Sequence, residues 1–577
     1  MNDEQNVRIG AVQAAGRKDI KVCLLLLVLV VGAMYGACQN GQWVPGGSDD
    51  ALYLCMARDM LRGQPSPAPV APLWPLLLAG AMAISPSFWL LNGLLMAMML
   101  GAVGLWYFVV RHWLSPRPAF FVMLGCAVLF EWHRFSFTHY GEALFYLLLG
   151  ACVLLAIQIS SRPALWRIAL LMVLCIIMAG ARGAAVLAMP LIALPLLEGS
   201  LRPRFNHQWI AALLVCLCLA GTFLGTRWWM RQALQTSAAA SSPRSPRSPQ
   251  AAIAKDELKR DTLVEHSLKR GPKDYAINSL SGGNWVMHLL WPPTVAAKAN
   301  KSVLLLSNIV GWLLIALYCT RLPAAWRSRQ WLWLAVPLYL VILAAPLNYP
   351  IPRYLAPAAP LLLAGLWAAL DKVIRATAAV DVAGVAPDGG VVAPQSRRPG
   401  LALVTRVLAA MLLGSIVVCN GAILAGGAYV AQSPRYVQLC QAGEYAELMA
   451  IRRDLLARGL DNGQLAVSVE YNDLQRKGAS SLWAWRFMTL MTDRRASVVP
   501  TNIRKDPTKI ATWAQARGTR YVLMRPPQPA SRIWHVRMSC DPAASYYALY
   551  RVENNRLVPV EIDDRPVESG LRRVPGL

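Results

Sequence analysis

The sequence predicts a polytopic α-helical membrane protein of about 11 transmembrane helices, followed by a C-terminal extracytoplasmic α/β domain. Three observations lead there. Apolar residues make up 56% of the 577 residues and recur in uninterrupted runs from residue 22 to about residue 424, where a soluble chain would show amphipathic periodicity. The loops between these runs alternate between rich and poor in Arg and Lys. Beyond residue 429 the long runs stop, and short apolar segments alternate with helical patterns.

Residues 1–21 form a basic N-terminus, and 22–38 read as a retained first span, because no small-residue cleavage site follows. The further spans fall at 88–110, 118–131, 140–159, 165–180, 183–198, 208–226, 302–319, 331–346, 351–370 and 401–424. The membrane region is thus 22–426. Residues 72–85 are apolar but short and flanked by proline, which suits an interfacial or re-entrant helix.

Charge tests this count. Arg8, Arg17, Lys18 and Lys21 share a side with Arg111/Arg117, Arg162/Arg167, Arg202/Arg204, Arg321/Arg327/Arg329 and Lys372/Arg375/Arg397/Arg398. The short loops on the opposite side are poorer, mostly with one cation each: Arg134, Arg182 and Arg353. The positive-inside rule therefore puts the N-terminus in the cytoplasm and residues 429–577 outside. A twelfth crossing at 72–85 would break the alternation. The net charge of +26 is spread over these loops and not along one element, so it indicates membrane topology and anionic lipid or substrate, not nucleic acid.

In the external loop 39–87, Ser48 starts a helix and sets Asp49 and Asp50 in its first turn. Two carboxylates there suit proton abstraction, metal binding or a grip on a hydroxylated substrate; an ordinary helix start is the simpler reading. The same topology brings to that side the loop from Glu131 to Glu142, together with Arg182 and Arg353. Ionisable groups at a membrane edge are costly and usually face a cavity. Each arginine could equally be snorkelling at the membrane edge. His139 and Glu142, with His133 nearby, offer a divalent-metal alternative to a plain hydrogen-bonded loop, and no cofactor is expected.

The long external loop 227–301 holds a Ser/Pro/Arg linker at 241–249 and an amphipathic stretch from Lys255 to Trp291. The cytoplasmic loop 371–400 is rich in Ala, Val and Gly. In the domain 429–577, apolar strands are expected at 465–469, 496–499, 520–524 and 546–552, and no Gly-rich phosphate loop follows any of them. Most of the 12 cysteines sit singly in apolar runs, where they act as small hydrophobes. Cys440 and Cys540 could pair in an oxidising compartment.

A cavity on the outer face has no nucleotide supply, so a transferase there needs a donor delivered in the lipid. At this point four segments, in order, resemble C-type (GT-C) glycosyltransferases of the bacterial protein-mannosyltransferase-like and aminoarabinose-transferase-like branch. They are Asp49-Asp50-Ala51-Leu52-Tyr53 with Ala57, Leu61 and Gly63; Gly141-Glu142-Ala143-Leu144-Phe145-Tyr146; Ala181-Arg182-Gly183; and Arg353-Tyr354-Leu355-Ala356-Pro357-Ala358-Ala359-Pro360. The resemblance implies a multi-pass enzyme of the bacterial inner membrane with a polyprenyl-phosphate sugar donor and a saccharide, lipid or protein acceptor. It implies Asp49 as catalytic base, with Asp50 and Tyr53 on the acceptor side. Glu142 would be a further polar contact, and Arg182, Arg353 and Tyr354 would lie at the donor. Where the aminoarabinose branch has Lys-Pro-Pro, this chain has Pro69-Val70-Ala71-Pro72-Leu73-Trp74-Pro75. The missing lysine argues against an aminoarabinose donor. Two other classes fit part of the pattern: a flippase for a lipid-linked saccharide, which would favour mid-bilayer polar groups and internal repeats, and a polysaccharide polymerase or ligase.

Overall fold

The protein is described by a computed structural model covering residues 3–39, 48–63, 71–197, 210–225 with 228, 282–291, 301–323 with 327, 332–344, 352–382, 411, 414–425, 444–468, 488–493, 496–500, 503, 506–524, 547–562 and 572–577. Cys440, Cys540, most of the loop 227–301 and the latter part of the loop 371–400 lie outside these residues.

The membrane region runs α1 (Asp3–Ala37), α2 (Ser48–Leu61), α3 (Leu73–Ile84), α4 (Phe88–Arg111), α5 (Pro116–Val128), α6 (Phe130–His133), α7 (Glu142–Ser161), α8 (Leu165–Ala181), α9 (Met189–Leu196), α10 (Ile210–Gly225), α11 (Gly282–Leu290), α12 (Lys301–Cys319), α13 (Leu332–Ala344), α14 (Pro352–Leu355), α15 (Ala359–Val382) and α16 (Gly414–Ala425). Among the described residues, four helices are long and apolar enough to cross a membrane: Asp19–Ala37, Phe88–Arg111, Glu142–Ser161 and Arg353–Asp371. The chain is thus a multi-pass helical membrane protein. Leu25, Leu29, Phe121, Leu213 and Leu313 lie exposed on the outer faces, where lipid replaces water.

In lipid no hydrophobic force drives helices together, so close packing and polar ties must do it. The contact of α4 with α7 illustrates this. Gly150 has no side chain, and a Cβ there would meet the Trp106 ring at 3.0 Å. The fully buried Trp106 can therefore lie flat on α7, with its Nε1 donating to the Tyr146 carbonyl at 3.2 Å.

Three expected straight spans are broken. The span at 118–131 is a pair, Pro116–Val128 and Phe130–Ser136, bent by 72°. The break falls at Leu129, whose φ −56, ψ 135 leaves the helical region. The Phe130 N–H that the break releases donates to Asn420 Oδ1 at 3.0 Å, which spares this group an unpaired place in the membrane. The span at 183–198 opens as a 3-10 turn, Gly183–Ala188, before α9. The span at 351–370 opens as α14 and a second 3-10 turn, Ala356–Ala358, before α15, with Pro357 at its start. Residues 73–84 form a 12-residue helix, about 18 Å long against a hydrocarbon core of about 30 Å.

The C-terminal part holds α17 (Glu444–Ala457), α18 (Pro507–Gln515) and five strands: β1 (Leu465–Val467), β2 (Ser497–Val498), β3 (Tyr521–Met524), β4 (Ala548–Glu553) and β5 (Arg556–Pro559). The sheet order is β2-β1-β3-β4-β5, parallel on both sides of β1 and antiparallel from β3 to β5. Asn554 and Asn555 both have positive φ, 47° and 61°, as a two-residue hairpin turn requires. Ile510 and Ala514 of α18 pack with Ala466 and Val522 in a small core on the sheet.

Candidate functional site

Four chain breaks present the site. Glu142 is the first residue of α7. Arg182 is an extended residue (φ −154, ψ 122) between α8 and its following 3-10 turn. Arg353 and Tyr354 lie in α14, at the opening of the last broken span. The turn Arg134–Ser136 follows the break at Leu129. Broken helices can expose polar backbone and charged side chains at membrane depth only where they line a cavity or are buried in protein.

The backbone of α14 and of the first residue after it is pinned from three sides. Tyr146 Oη donates to the Arg353 carbonyl at 3.4 Å, Tyr339 Oη to the Tyr354 carbonyl at 2.5 Å, and Trp132 Nε1 to the Ala356 carbonyl at 2.9 Å. Helices α7, α13 and α6 thus hold one short segment in register. The side chains of Arg353 and Tyr354 start from a fixed base.

Around them, three guanidiniums alternate with two tyrosine rings. Arg134 lies 5.6 Å and Arg353 lies 5.9 Å from the centre of the Tyr140 ring. Arg353 lies 5.2 Å and Arg182 lies 5.3 Å from the centre of the Tyr354 ring. Each ring face attracts the cation beside it, which holds like charges close together without direct contact. Two carboxylates offset part of the charge: Glu142 pairs with Arg182 at 2.5 Å, and Glu131 with Arg134 at 3.4 Å. Burial works against the charge on Arg182, yet the Glu142 carboxylate beside it favours the charged form, and the guanidinium is held more firmly protonated than usual. Three cations against two anions leave this group with one excess positive charge. Such a group suits an anion with several acceptor oxygens, since guanidinium forks match phosphate geometry.

On helix α2, Tyr53 is half-buried. Asp50 is fully buried, one turn earlier on the helix. Position 49 is in the first turn, which begins at Ser48. Helix α3 is tied to the loop after α6, where Trp74 Nε1 donates to the His139 carbonyl at 2.9 Å. Just past α1, Gln39 Nε2 donates to the Ser136 carbonyl at 2.8 Å and to the Asn92 carbonyl of α4 at 3.2 Å.

The structure therefore brings Glu142, Arg182, Arg353 and Tyr354 together. Sequence reasoning brought the loop from Glu131 to Glu142 to this side but did not single out Glu131, Arg134 or Tyr140 as site residues. Tyr140 carried no signal beyond its place in that polar loop. His139 is buried beside Phe88, with ring centres 5.6 Å apart, and burial pushes its imidazole down to about 3. Among the described residues no three His, Cys, Asp or Glu side chains stand together as a metal-binding group. Glu142 is engaged by Arg182 instead.

No family model matches the sequence, and no curated protein matches it. Among solved structures, the chain is similar to the oligosaccharyltransferase AglB from Archaeoglobus fulgidus, solved with an inhibitory peptide and a dolichol-phosphate. Identity is 11%, over 87% of this chain and 69% of that one, with a TM-score of 0.47. It is also similar to ArnT from Cupriavidus metallidurans. Against the apo form, identity is 14% over 87% of this chain and 92% of that one, with a TM-score of 0.46. Against the form bound to undecaprenyl phosphate, the identity and TM-score are the same, over 93% and 97%. Likeness at this level concerns only the course of the chain.

Proposed function

We propose that the chain is an inverting glycosyltransferase that moves a sugar from a polyprenyl-phosphate donor to an acceptor hydroxyl at the external membrane face. The supporting observation is the alternation of Arg134, Arg353 and Arg182 with Tyr140 and Tyr354, next to the Glu142–Arg182 pair. In this reading Asp49 takes the proton of the acceptor hydroxyl. The freed oxygen attacks the anomeric carbon, and the bond from that carbon to the phosphate oxygen breaks with its electron pair staying on the phosphate. The new charge on the leaving phosphate meets Arg353 first, with Arg182 beside it. Glu142 orients Arg182, and Tyr354 keeps the two guanidiniums apart. Asp50 and Tyr53 shape the acceptor side. The step needs a base and fixed cations, and no redox partner. The acceptor belongs to the envelope: lipid A, a polysaccharide, another lipid or a protein.

In this reading the N-terminus is cytoplasmic and residues 429–577 lie outside, as the loop charges indicate. Asp49→Asn abolishes transfer while expression and folding persist. Full activity in that variant would remove Asp49 as base. Arg353→Ala weakens use of the donor, with its KM raised by about tenfold or more. An unchanged donor KM would remove Arg353 from the phosphate site.

A further inference from the structure

The far end of α2 is gripped by residues that lie more than 400 positions later in the chain. Arg58 is buried, with 3% of its surface exposed. Its Nη1 donates to the Leu490 carbonyl at 2.9 Å and the Pro575 carbonyl at 3.2 Å, and its Nη2 to the Thr489 carbonyl at 3.1 Å. The same Nη1 lies 3.1 Å from Asp493 Oδ1. One turn on, Arg62 forks onto the Asp493 carboxylate at 2.7 and 3.0 Å and also donates to the Gly576 carbonyl. Residues 572–574 are themselves laid against the start of α4. The Phe88 N–H donates to the Arg572 carbonyl at 3.0 Å, and the Val574 N–H donates to the Pro86 carbonyl at 2.9 Å.

Two backbone details show how tightly this is built. Asp493 has a positive φ of 54°, uncommon for a residue with a side chain. Gly576 has φ +80°, and a Cβ there would run into the Asp493 carboxylate and the Arg62 guanidinium. A surface ion pair alone would need neither, and would contribute little. A buried guanidinium that saturates three carbonyls fixes distance and direction as well as charge.

We propose that Arg58 and Arg62 are positioning residues, through which segments 488–493 and 572–577 hold α2 in its working place. The proposal rests on the reading of Asp49 as base. Position 49 is nine residues, or about two and a half turns, from Arg58 along one rigid helix, so the clamp and the base share one body. The cations that this reading gives to the donor sit elsewhere: Arg182 just after α8, Arg353 in α14 and Arg134 in the turn after α6. A loosened clamp therefore misplaces the base and leaves donor binding alone. A misplacement of about 1 Å is enough to cost a large factor in rate.

The test compares Arg62→Ala, Arg62→Lys and Gly576→Ala with wild type in the full chain, by hydrogen–deuterium exchange and by donor-dependent kinetics. The expected result is faster exchange in 48–61 than in 142–161 for both Arg62→Ala and Gly576→Ala. Their kcat falls by about tenfold, with donor KM within about twofold of wild type. Arg62→Lys keeps one N–H for Asp493 and recovers part of both. Unchanged exchange in α2, or a loosened α2 with full turnover, would overturn the proposal. Exchange needs no turnover, and Asp49→Asn reports on the base separately, so failure of the clamp and failure of the catalytic reading give different results.

Discussion

Glu142 and Arg182 form the closest charge pair of the site, and neither would be tolerated alone in so enclosed a place. Removing one partner of a buried pair leaves a bare charge and costs about 3–5 kcal/mol. His139 makes a separate prediction. In the unfolded chain its imidazole titrates near the ordinary 6.5; in the folded protein burial holds it down to about 3. As pH falls, the unfolded state takes up the proton first. The stability this histidine contributes is therefore complete above pH 6.5 and drains away between there and about pH 3. At pH 5 the loss is about 2 kcal/mol. Thermal unfolding in detergent at pH 7 and pH 5, for wild type and His139→Gln, measures it. Equal pH sensitivity in the two proteins would contradict the buried, neutral imidazole. At this scale the sequence was legible where a residue type is rare in its setting. Glu142, Arg182 and Arg353 stood out as charges at the ends of apolar runs. Tyr140 and Glu131 did not, because their part depends on an arginine reaching them across a fold.

At the scale of elements, the broken helices matter most. Apolar runs gave away where the chain turns hydrophobic, and α4 and α7 lie close to where the runs put them. The breaks were hidden. Leu129 is neither Pro nor Gly, and the group that satisfies the interrupted backbone, Asn420, is 290 residues away. The Asn420 side chain also donates to the Leu290 carbonyl at 2.7 Å and the Ile416 carbonyl at 2.9 Å, so one amide ties α6, α11 and α16 together. Asn420→Leu leaves the Phe130 N–H and the Leu290 carbonyl without it. The expected cost is about 1–3 kcal/mol for each group stranded. A lowered unfolding midpoint in detergent checks this. A variant as stable as wild type would show that the bend at Leu129 does not depend on Asn420.

Across the whole molecule, segments 488–493 and 572–577 of the C-terminal part meet the membrane region at α2 and at the start of α4. Loop charges and apolar runs were enough to read a multi-pass chain with a hydrophilic C-terminal part. They could not show that residues 488–493 and 572–577 return to the first external helix, because Arg58 and Arg62 read in sequence as ordinary basic residues late in a helix. The same limit applies to the arginine–tyrosine group, which is assembled from three separate stretches. Order along the chain showed which motifs exist; only the fold shows which of them touch.

The central claim is that this assembly transfers a sugar from a polyprenyl-phosphate donor with Asp49 as base. Mass spectrometry of envelope glycolipids, polysaccharides and glycoproteins tests it most directly, in cells lacking the chain and in cells given back either wild type or Asp49→Asn. The account predicts that one sugar disappears from one envelope component without the chain, returns with wild type and stays absent with Asp49→Asn. Full restoration by Asp49→Asn, or a build-up of unflipped lipid-linked saccharide in place of a missing sugar, would contradict it.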